Sequence, residues 1–506
     1  MPTVLRAARA NLLLAPIGTV LAIISSVLVA RWLGPGTYAD YATLMALVAW
    51  LLILAEGGCN GGLGRFLGEA GVLHARGSLY LSLQYRRWII SLILTLSLVW
   101  LGPIWAKSVG LPEARWQPFS FILVGLLAAV MLHGQLASSA MLAIFRHERV
   151  LLTNQLMTIA RALVLVLLAG TLRDPVVLVA ALLSLAIVEA SILHRATAAQ
   201  IGEGRNRLPL GMANAAQRHG LVALFDKLTT ALSAGPFLLL VLAGVHDRGE
   251  LAMLAIATDL LQKTLSVIGL PLSNIVMPML NESRINVERF RRQVAQLGGL
   301  MTVLFAFAAG GIMTILPLGL PLLLGPSYNP AVPIAMIWLL PVFLESGVRM
   351  IWGAALVALD QYRWLMRFNL IYGAISLLVI FVARDMDLRT LLILLGVLRF
   401  LMSLVLLGRA ARLALLPPES RPLPVMLAAG VACVLSVGVQ AMLASVPSIL
   451  TLLTGIGVYA FAVLASLRLL PLIPNPSHDA LCQLAGKHKA LLTRVIRPLS
   501  KKRRGA

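Results

Sequence analysis

The sequence predicts an all-α integral membrane protein with about fourteen transmembrane helices, and three observations predict it. The 506 residues are 59% hydrophobic and only 12% charged, with a mean hydropathy of +0.90. Water-soluble domains of this size do not have that composition. The apolar residues fall in runs close to the roughly 20 residues that a helix needs to cross a bilayer. Lysine and arginine gather on alternate connections, the pattern of cytoplasmic loops. The runs are continuous and do not alternate every second residue, which excludes barrel strands.

Taken in order, the runs centre near Ile23, Leu47, Leu94, Val130, Leu163, Leu183, Ser233, Ile268, Phe307, Leu340, Ser376, Leu395, Val434 and Gly457. Short segments rich in Gly, Pro and charge connect them, as turns between spans should. The first run follows Arg6 and Arg9. It is too long for a signal-peptide core and has no persuasive cleavage site before Arg31, so a retained first span is expected. With the amino terminus inside, the outward loops hold only Arg31, Lys107, Arg115, Arg173, Arg248, Arg384 and Arg389 of the 42 Lys and Arg. That asymmetry predicts an even number of spans with both termini cytoplasmic. The net charge of +22 is therefore a topology signal. Without interleaved aromatic and basic residues, no nucleic-acid partner is expected.

Two segments suggest an internal repeat. GPGTYADYA (34–42) follows the first span and DRGELAMLA (247–255) follows the seventh, aligning Gly36, Ala39 and Ala42 with Gly249, Ala252 and Ala255. Gly110 with Pro112 and Gly325 with Pro326 recur at nearly the same offset. The simplest account is two six-helix lobes, 1–205 and 206–415, then two additional transmembrane helices within 416–472 and a basic cytoplasmic tail, 473–506. Two such halves around a midplane site are a transporter arrangement. In the tail, Leu481, Leu484, Leu491, Leu492 and Val495 form an apolar stripe flanked by Lys487, Lys489, Arg494, Arg497 and KKRR (501–504), the pattern of an interfacial helix on an anionic leaflet. The thirteenth and fourteenth spans are almost wholly apolar and suit a wall or groove for a long prenyl chain, or stabilisation of the fold alone.

The informative residues are charges inside the apolar runs, because an unpaired charge at membrane depth costs several kcal/mol. Arg161 lies midway through Leu151–Leu172 with no acid one helical turn away, so its partner is another helix (Glu189 is one option), water or a ligand. Asp259 with Lys263, and Glu345 with Arg349, are four apart and share a helix face. Asp226 and Lys227 are adjacent and point in different directions. Arg31, Arg161, Lys227, Lys263 and Arg349 are the candidate substrate-binding cations. Glu56, Asp226, Asp259 and Glu345 are candidate ion-coupling or structural acids, and Arg399 is a further charge inside an apolar run. Several cations around an aqueous cavity suit a phosphate-bearing anion. Gly269, Pro271 and Pro278, then Pro317 and Pro321, then Pro333 and Pro341 permit bends in spans eight to ten. Cys59, Cys433 and Cys482 show neither disulfide framework nor metal spacing, and no cofactor is expected.

VARWLGPGTYADYATLMALVAWLLILAEGGCNGGLGRFLGEA (29–70) resembles the opening of the Wzx-type O-antigen and polysaccharide flippases, through Arg31, Leu33, Gly34, Pro35, Glu56, Gly58 and Arg65. Glu56 stands where aspartate is usual, and Ala39 where glycine is common. LPLLLGPSYNPAVPIAMIWLLPVFLESG (320–347) resembles the entry to span ten of the same family, and the likeness covers most of residues 1–415. The resemblance implies the MOP exporter superfamily and a MATE-like V of two lobes around a central cavity. It implies a substrate of undecaprenyl-pyrophosphate-linked sugars, moved from the cytoplasmic to the outer leaflet for O-antigen, capsule or exopolysaccharide synthesis. A polysaccharide polymerase and a chain-length regulator are implied partners, beside the membrane lipids.

Three alternatives stand beside that reading. The span count and AEGG (55–58) also resemble the lipid II flippases, but 51–55 lacks their span-two arginine and Asp259 falls about where the span-eight arginine would be. A multidrug extruder would pair carboxylates with aromatics for cationic compounds, whereas basic residues dominate here. A membrane polymerase or ligase needs a large outward catalytic loop, and the outward connections are about ten residues or fewer, the length of ordinary helix connections. No catalytic residue is assigned and no enzyme activity is expected. The topology is testable with a reporter active only outside the cytoplasm: fused after Ala506 it will be silent, and fused near Pro112 or Asp385 it will be active. Activity at Ala506 would refute the even span count.

Overall fold

A computed structural model describes residues 2–469, apart from 73–74, 109–115, 145–146, 203–207, 210, 233, 284–285, 360, 414, 416–421 and 444–447. Side chains are described for these except at 2–17, 69, 72, 147, 222–223, 226, 268–275, 277–279, 281–283, 422–424, 426 and 467–469. The basic tail with Cys482, the Gly110–Pro112 turn and the Asp226 side chain lie outside the described residues.

Every regular element among the described residues is helical. The chain runs α1 (Pro2–Leu54), α2 (Cys59–Val72), α3 (Arg76–Ser108), α4 (Pro118–Ala143), α5 (His147–Thr171), α6 (Pro175–Ile201), α7 (Met212–Ala231) and α8 (Gly235–Leu242). It continues through α9 (Arg248–Ser283), α10 (Val287–Leu324), α11 (Ala331–Val348), a π-helical turn (Arg349–Gly353), α12 (Ala354–Ala358), α13 (Tyr362–Ala383), α14 (Leu388–Arg412), α15 (Pro422–Met442) and α16 (Ser448–Leu469). Of the fourteen span centres read from the sequence, two fall on α1 and one between α7 and α8. The others take one helix each, α3–α6, α9–α11 and α13–α16. Among the described residues, ten helices are long and apolar enough to cross a bilayer. The protein is a multi-pass, all-α membrane protein.

One glycine divides α1. A straight helix of 53 residues would be about 80 Å long at 1.5 Å per residue, far more than a hydrocarbon core of about 30 Å. At Gly34 the backbone turns to φ 73°, ψ 164°, a conformation essentially confined to glycine, and Pro35 opens the next helix with a preset φ. Gly325 repeats the device after α10, at φ 93°, ψ 170° before Pro326. Leu-Gly-Pro thus ends a helix twice by one mechanism.

The chain forms two compact units, one of 1–267 with 366–391, the other of 268–365 with 392–506. In the first, Leu44, Val48, Phe121, Val124, Leu127 and Val179 form one core. A second core uses Cys59, Leu63, Leu67 and Ala70 of α2, a helix that lies between the span centred near Leu47 and the one centred near Leu94. There α2 crosses α7 at backbone contact: a Cβ on Gly220 would lie 1.6 Å from the Gly58 carbonyl oxygen. On α3 the opposite face is apolar yet exposed, with Leu92, Leu96, Trp100 and Ile104 one turn apart. Such a stripe belongs against lipid. In the second unit α15 and α16 pack on α10: Tyr459 Oη donates to the Phe307 carbonyl at 2.6 Å and Gln440 Nε2 to the Thr314 carbonyl at 3.1 Å. The spans expected to be nearly featureless are therefore fixed by two buried polar bonds.

Gly34→Ala will lower stability by about 1–3 kcal/mol, the cost of holding an L-residue at that backbone geometry. No atom lies within 4 Å of the added methyl, so the effect is conformational, and Gly36→Ala, equally open but without positive φ, is the control. Thermal unfolding of the two purified variants in detergent separates them. Equal midpoints would reject the account of the kink.

Candidate functional site

A turn at Ala55–Gly58 follows α1, and in it Gly57 and Gly58 adopt φ 54° and 76°. That turn carries Glu56, which is buried. Both its carboxylate oxygens accept from Lys227 Nζ on α7, at 3.0 and 2.8 Å. The lysine is 52% exposed, so the pair keeps one side open. Gln217 Nε2 donates to the Gly57 carbonyl at 3.2 Å, and the glycine contact of α2 with α7 lies beside it.

A cavity of about 340 Å³ opens among α1, α8 and α9, walled by Ser25, Ser26, Tyr38, Tyr41, Thr258 and Gln262 together with Asp259 and Lys263. The i, i+4 pair expected on α9 forms, with Lys263 Nζ 2.7 Å from Asp259 Oδ2. Lys263 also donates to Ser26 Oγ. Arg31 is exposed, three residues before the Gly34 kink, and does not line this cavity.

A second cavity in the same unit, of about 450 Å³, lies among α2, α4, α5 and α6. Arg161 lines it and donates to Glu189 Oε2, with exposures of 27% and 16%. Of the partners open to Arg161 in the sequence, another helix supplies this one. Close by, the structure adds residues that the sequence reading passed over. Arg87 is buried and donates to the Leu132 carbonyl at 2.5 Å and to Asn60 Oδ1 at 2.8 Å. Gln84 Nε2 lies 3.0 Å from His133 Nδ1, and Tyr80 Oη 3.2 Å from His194 Nδ1. The helical spacing of Tyr80, Gln84, Arg87 and Ser91 was the available signal. It was obscured because Arg86–Arg87 reads as a cytoplasmic charge pair at the foot of a span.

The second unit holds a three-membered cluster. Glu345 accepts from Arg349 Nε at 2.9 Å, the expected i, i+4 pair, and from Arg399 Nη1 at 2.6 Å. The Arg399 guanidinium lies 4.5 Å from the centre of the Trp338 ring. Arg349 begins the π-helical turn, a local widening of the helical ladder that is frequent at functional sites. Helices α10 and α11 run on through Pro317, Pro321 and Pro341. Of the candidate cations, Arg161, Lys227, Lys263 and Arg349 thus each meet a carboxylate. The groups divide among separate clusters. Among the described residues no group of three or more His, Cys, Asp or Glu could hold a metal ion.

No family model matches the chain, and no curated protein matches its sequence. Solved structures do match its fold. The lipid II flippase MurJ in an inward closed conformation aligns over 88% of this chain and 96% of its own, with a TM-score of 0.65 and 11% identity. An inward-facing multidrug resistance MATE family transporter of the MOP superfamily aligns over 81% of this chain and 98% of its own, with a TM-score of 0.58 and 15% identity. A point mutant of the Vibrio cholerae MATE transporter VcmN covers 81% and 99%, with a TM-score of 0.55 and 15% identity. The fold is the one these flippase and transporter structures share.

Removing one member of a buried pair costs about 3–5 kcal/mol, whereas removing both leaves no orphaned charge. Glu189 is partly exposed, so the lower end of that range applies to Arg161→Ala. The double variant Arg161→Ala/Glu189→Ala will unfold at a higher temperature than Arg161→Ala alone. A double variant no more stable than the single one would mean that the unpaired Glu189 carries no penalty, and would reject the account.

Proposed function

We propose that the protein is a flippase that carries undecaprenyl-pyrophosphate-linked oligosaccharide from the cytoplasmic to the outer leaflet by alternating access. The carrying observation is the fold match to a lipid II flippase across 88% of this chain and 96% of that one. Membrane-depth Arg and Lys fit the reading. A guanidinium engaged to a carboxylate in the resting state, as Arg349 is to Glu345, can exchange that partner for a pyrophosphate oxygen, because both accept from its fork of donors. The π-turn at Arg349 offers a place where the exchange could be coupled to a change in helix register. We further propose that the six-helix halves 1–205 and 206–415 are the bodies that alternate, that both termini are cytoplasmic, and that the protein works in a bacterial inner membrane beside a polysaccharide polymerase and a chain-length regulator.

Lipid II itself is the nearest alternative substrate, favoured by the same fold match. Multidrug extrusion is favoured by the MATE structures, although their alignments take in less of this chain. Arg161→Ala and Arg349→Ala will each abolish surface glycan in cells, a loss larger than any fall in the amount of inserted protein accounts for. Lysine at either position will restore partial export if charge alone matters and little if the planar fork is required. Full export by the combined alanine variant would reject a substrate role for both arginines. Loss of drug resistance with intact glycan export would favour the extruder.

A further inference from the structure

The cavity among α2, α4, α5 and α6 has a wall chemistry that differs from what a pyrophosphate needs. We propose that it is a subsite for neutral sugar rings, receiving the glycan head of a lipid-linked oligosaccharide while the pyrophosphate is held elsewhere. The proposal rests on the flippase reading above and specifies where the sugar sits.

The wall is amide and hydroxyl: Asn60, Gln135, Ser138, Asn154 and Thr158 all line it. The amides carry donors and acceptors together, and Thr158 Oγ1, whose hydrogen goes to the Asn154 carbonyl at 2.8 Å, presents an acceptor, which is the mixture that sugar hydroxyls require. Gln135, Ser138, Asn154 and Thr158 stand on α4 and α5, helices long and apolar enough to cross a bilayer, where polar groups facing lipid would go unsatisfied. They face a shared space of about 450 Å³, within the roughly 300–1,000 Å³ of small-molecule sites. The charged groups of the wall, Arg161 and Glu189, are bonded to each other. The pair offers an anion no net charge but gives a neutral polyol two strong hydrogen-bonding edges. Met131, Ala186 and Leu193 supply apolar surface for the C–H faces of a ring. No aromatic residue lines the space among the described residues, unlike the mostly apolar and aromatic wall expected of a drug site. Arg87, on α3, fixes Asn60 from outside the wall through its 2.8 Å bond, so one amide is oriented before any ligand arrives.

The test measures binding to the full-length protein in nanodiscs with three probes: undecaprenyl pyrophosphate bearing a neutral oligosaccharide from the host strain, the same lipid without sugar, and the oligosaccharide released from the lipid. Gln135→Met and Asn154→Leu remove the amides at nearly constant volume, and each variant is first checked for a monodisperse size-exclusion profile. The wild type will bind the glycosylated lipid at least tenfold more tightly than the bare lipid. Each variant will lose most of that tenfold while binding the bare lipid as the wild type does. Equal weakening for both lipids, or no weakening for either, would overturn the sugar subsite. A wild type that binds the bare lipid with no gain from sugar would overturn it while leaving the flippase reading intact. A wild type that binds neither lipid would overturn both. Released oligosaccharide binding as tightly as the glycosylated lipid, with the bare lipid inert, would assign the cavity to soluble sugar and reject the proposal.

Discussion

A charge cannot stand alone in hydrocarbon, and that constraint organises the interior of this protein. Among the described residues, ion pairs satisfy it in Glu56 with Lys227, Asp259 with Lys263, Arg161 with Glu189, and Glu345 with Arg349 and Arg399. Apolar residues of similar volume would often be as stable as a buried pair, so pairing alone does not explain why the charges are there. Their partial exposure does offer an explanation. Lys227, Arg161 and Lys263 each keep a quarter or more of the side chain accessible. A pair with one open side is neutral at rest and remains able to receive a ligand.

The helices serve the same end. Gly34 and Gly325 end long apolar helices, and the glycine contacts of α2 with α7 bring the Glu56 turn and Lys227 close enough to bond. Helix packing in a membrane has no hydrophobic drive between apolar faces, so small residues and polar bonds do the joining. Tyr459 and Gln440 do it for α15 and α16. Where two polar groups stand within one turn of one helix, as with Asp259 and Lys263, the pairing is local and therefore visible in the sequence. The span positions were legible for the same reason, because each is a property of one continuous run.

What was not legible required two helices to meet. Nothing in the spacing of residues places Lys227 on Glu56, or Arg399 on the carboxylate that already holds Arg349. Arg87 shows the limit most clearly. Beside Arg86 it reads as a cytoplasmic charge, yet it is buried and bonded to Asn60 and a backbone carbonyl. The helix α2 was hidden because its fourteen residues are too few to span and its apolar stripe is interrupted by glycines. The cavities follow from packing as well. The polar residues that line the larger one come from four helices and form no motif in the chain.

The central claim is that this arrangement moves a glycan-bearing polyprenyl pyrophosphate between leaflets. Purified protein reconstituted into sealed vesicles tests it directly, with the glycosylated lipid placed initially in the inner leaflet and an impermeant lectin outside. The account predicts that lectin-accessible glycan rises over minutes with protein and stays flat in empty vesicles. Lectin signal identical with and without protein, in vesicles shown to hold it folded, would contradict the account.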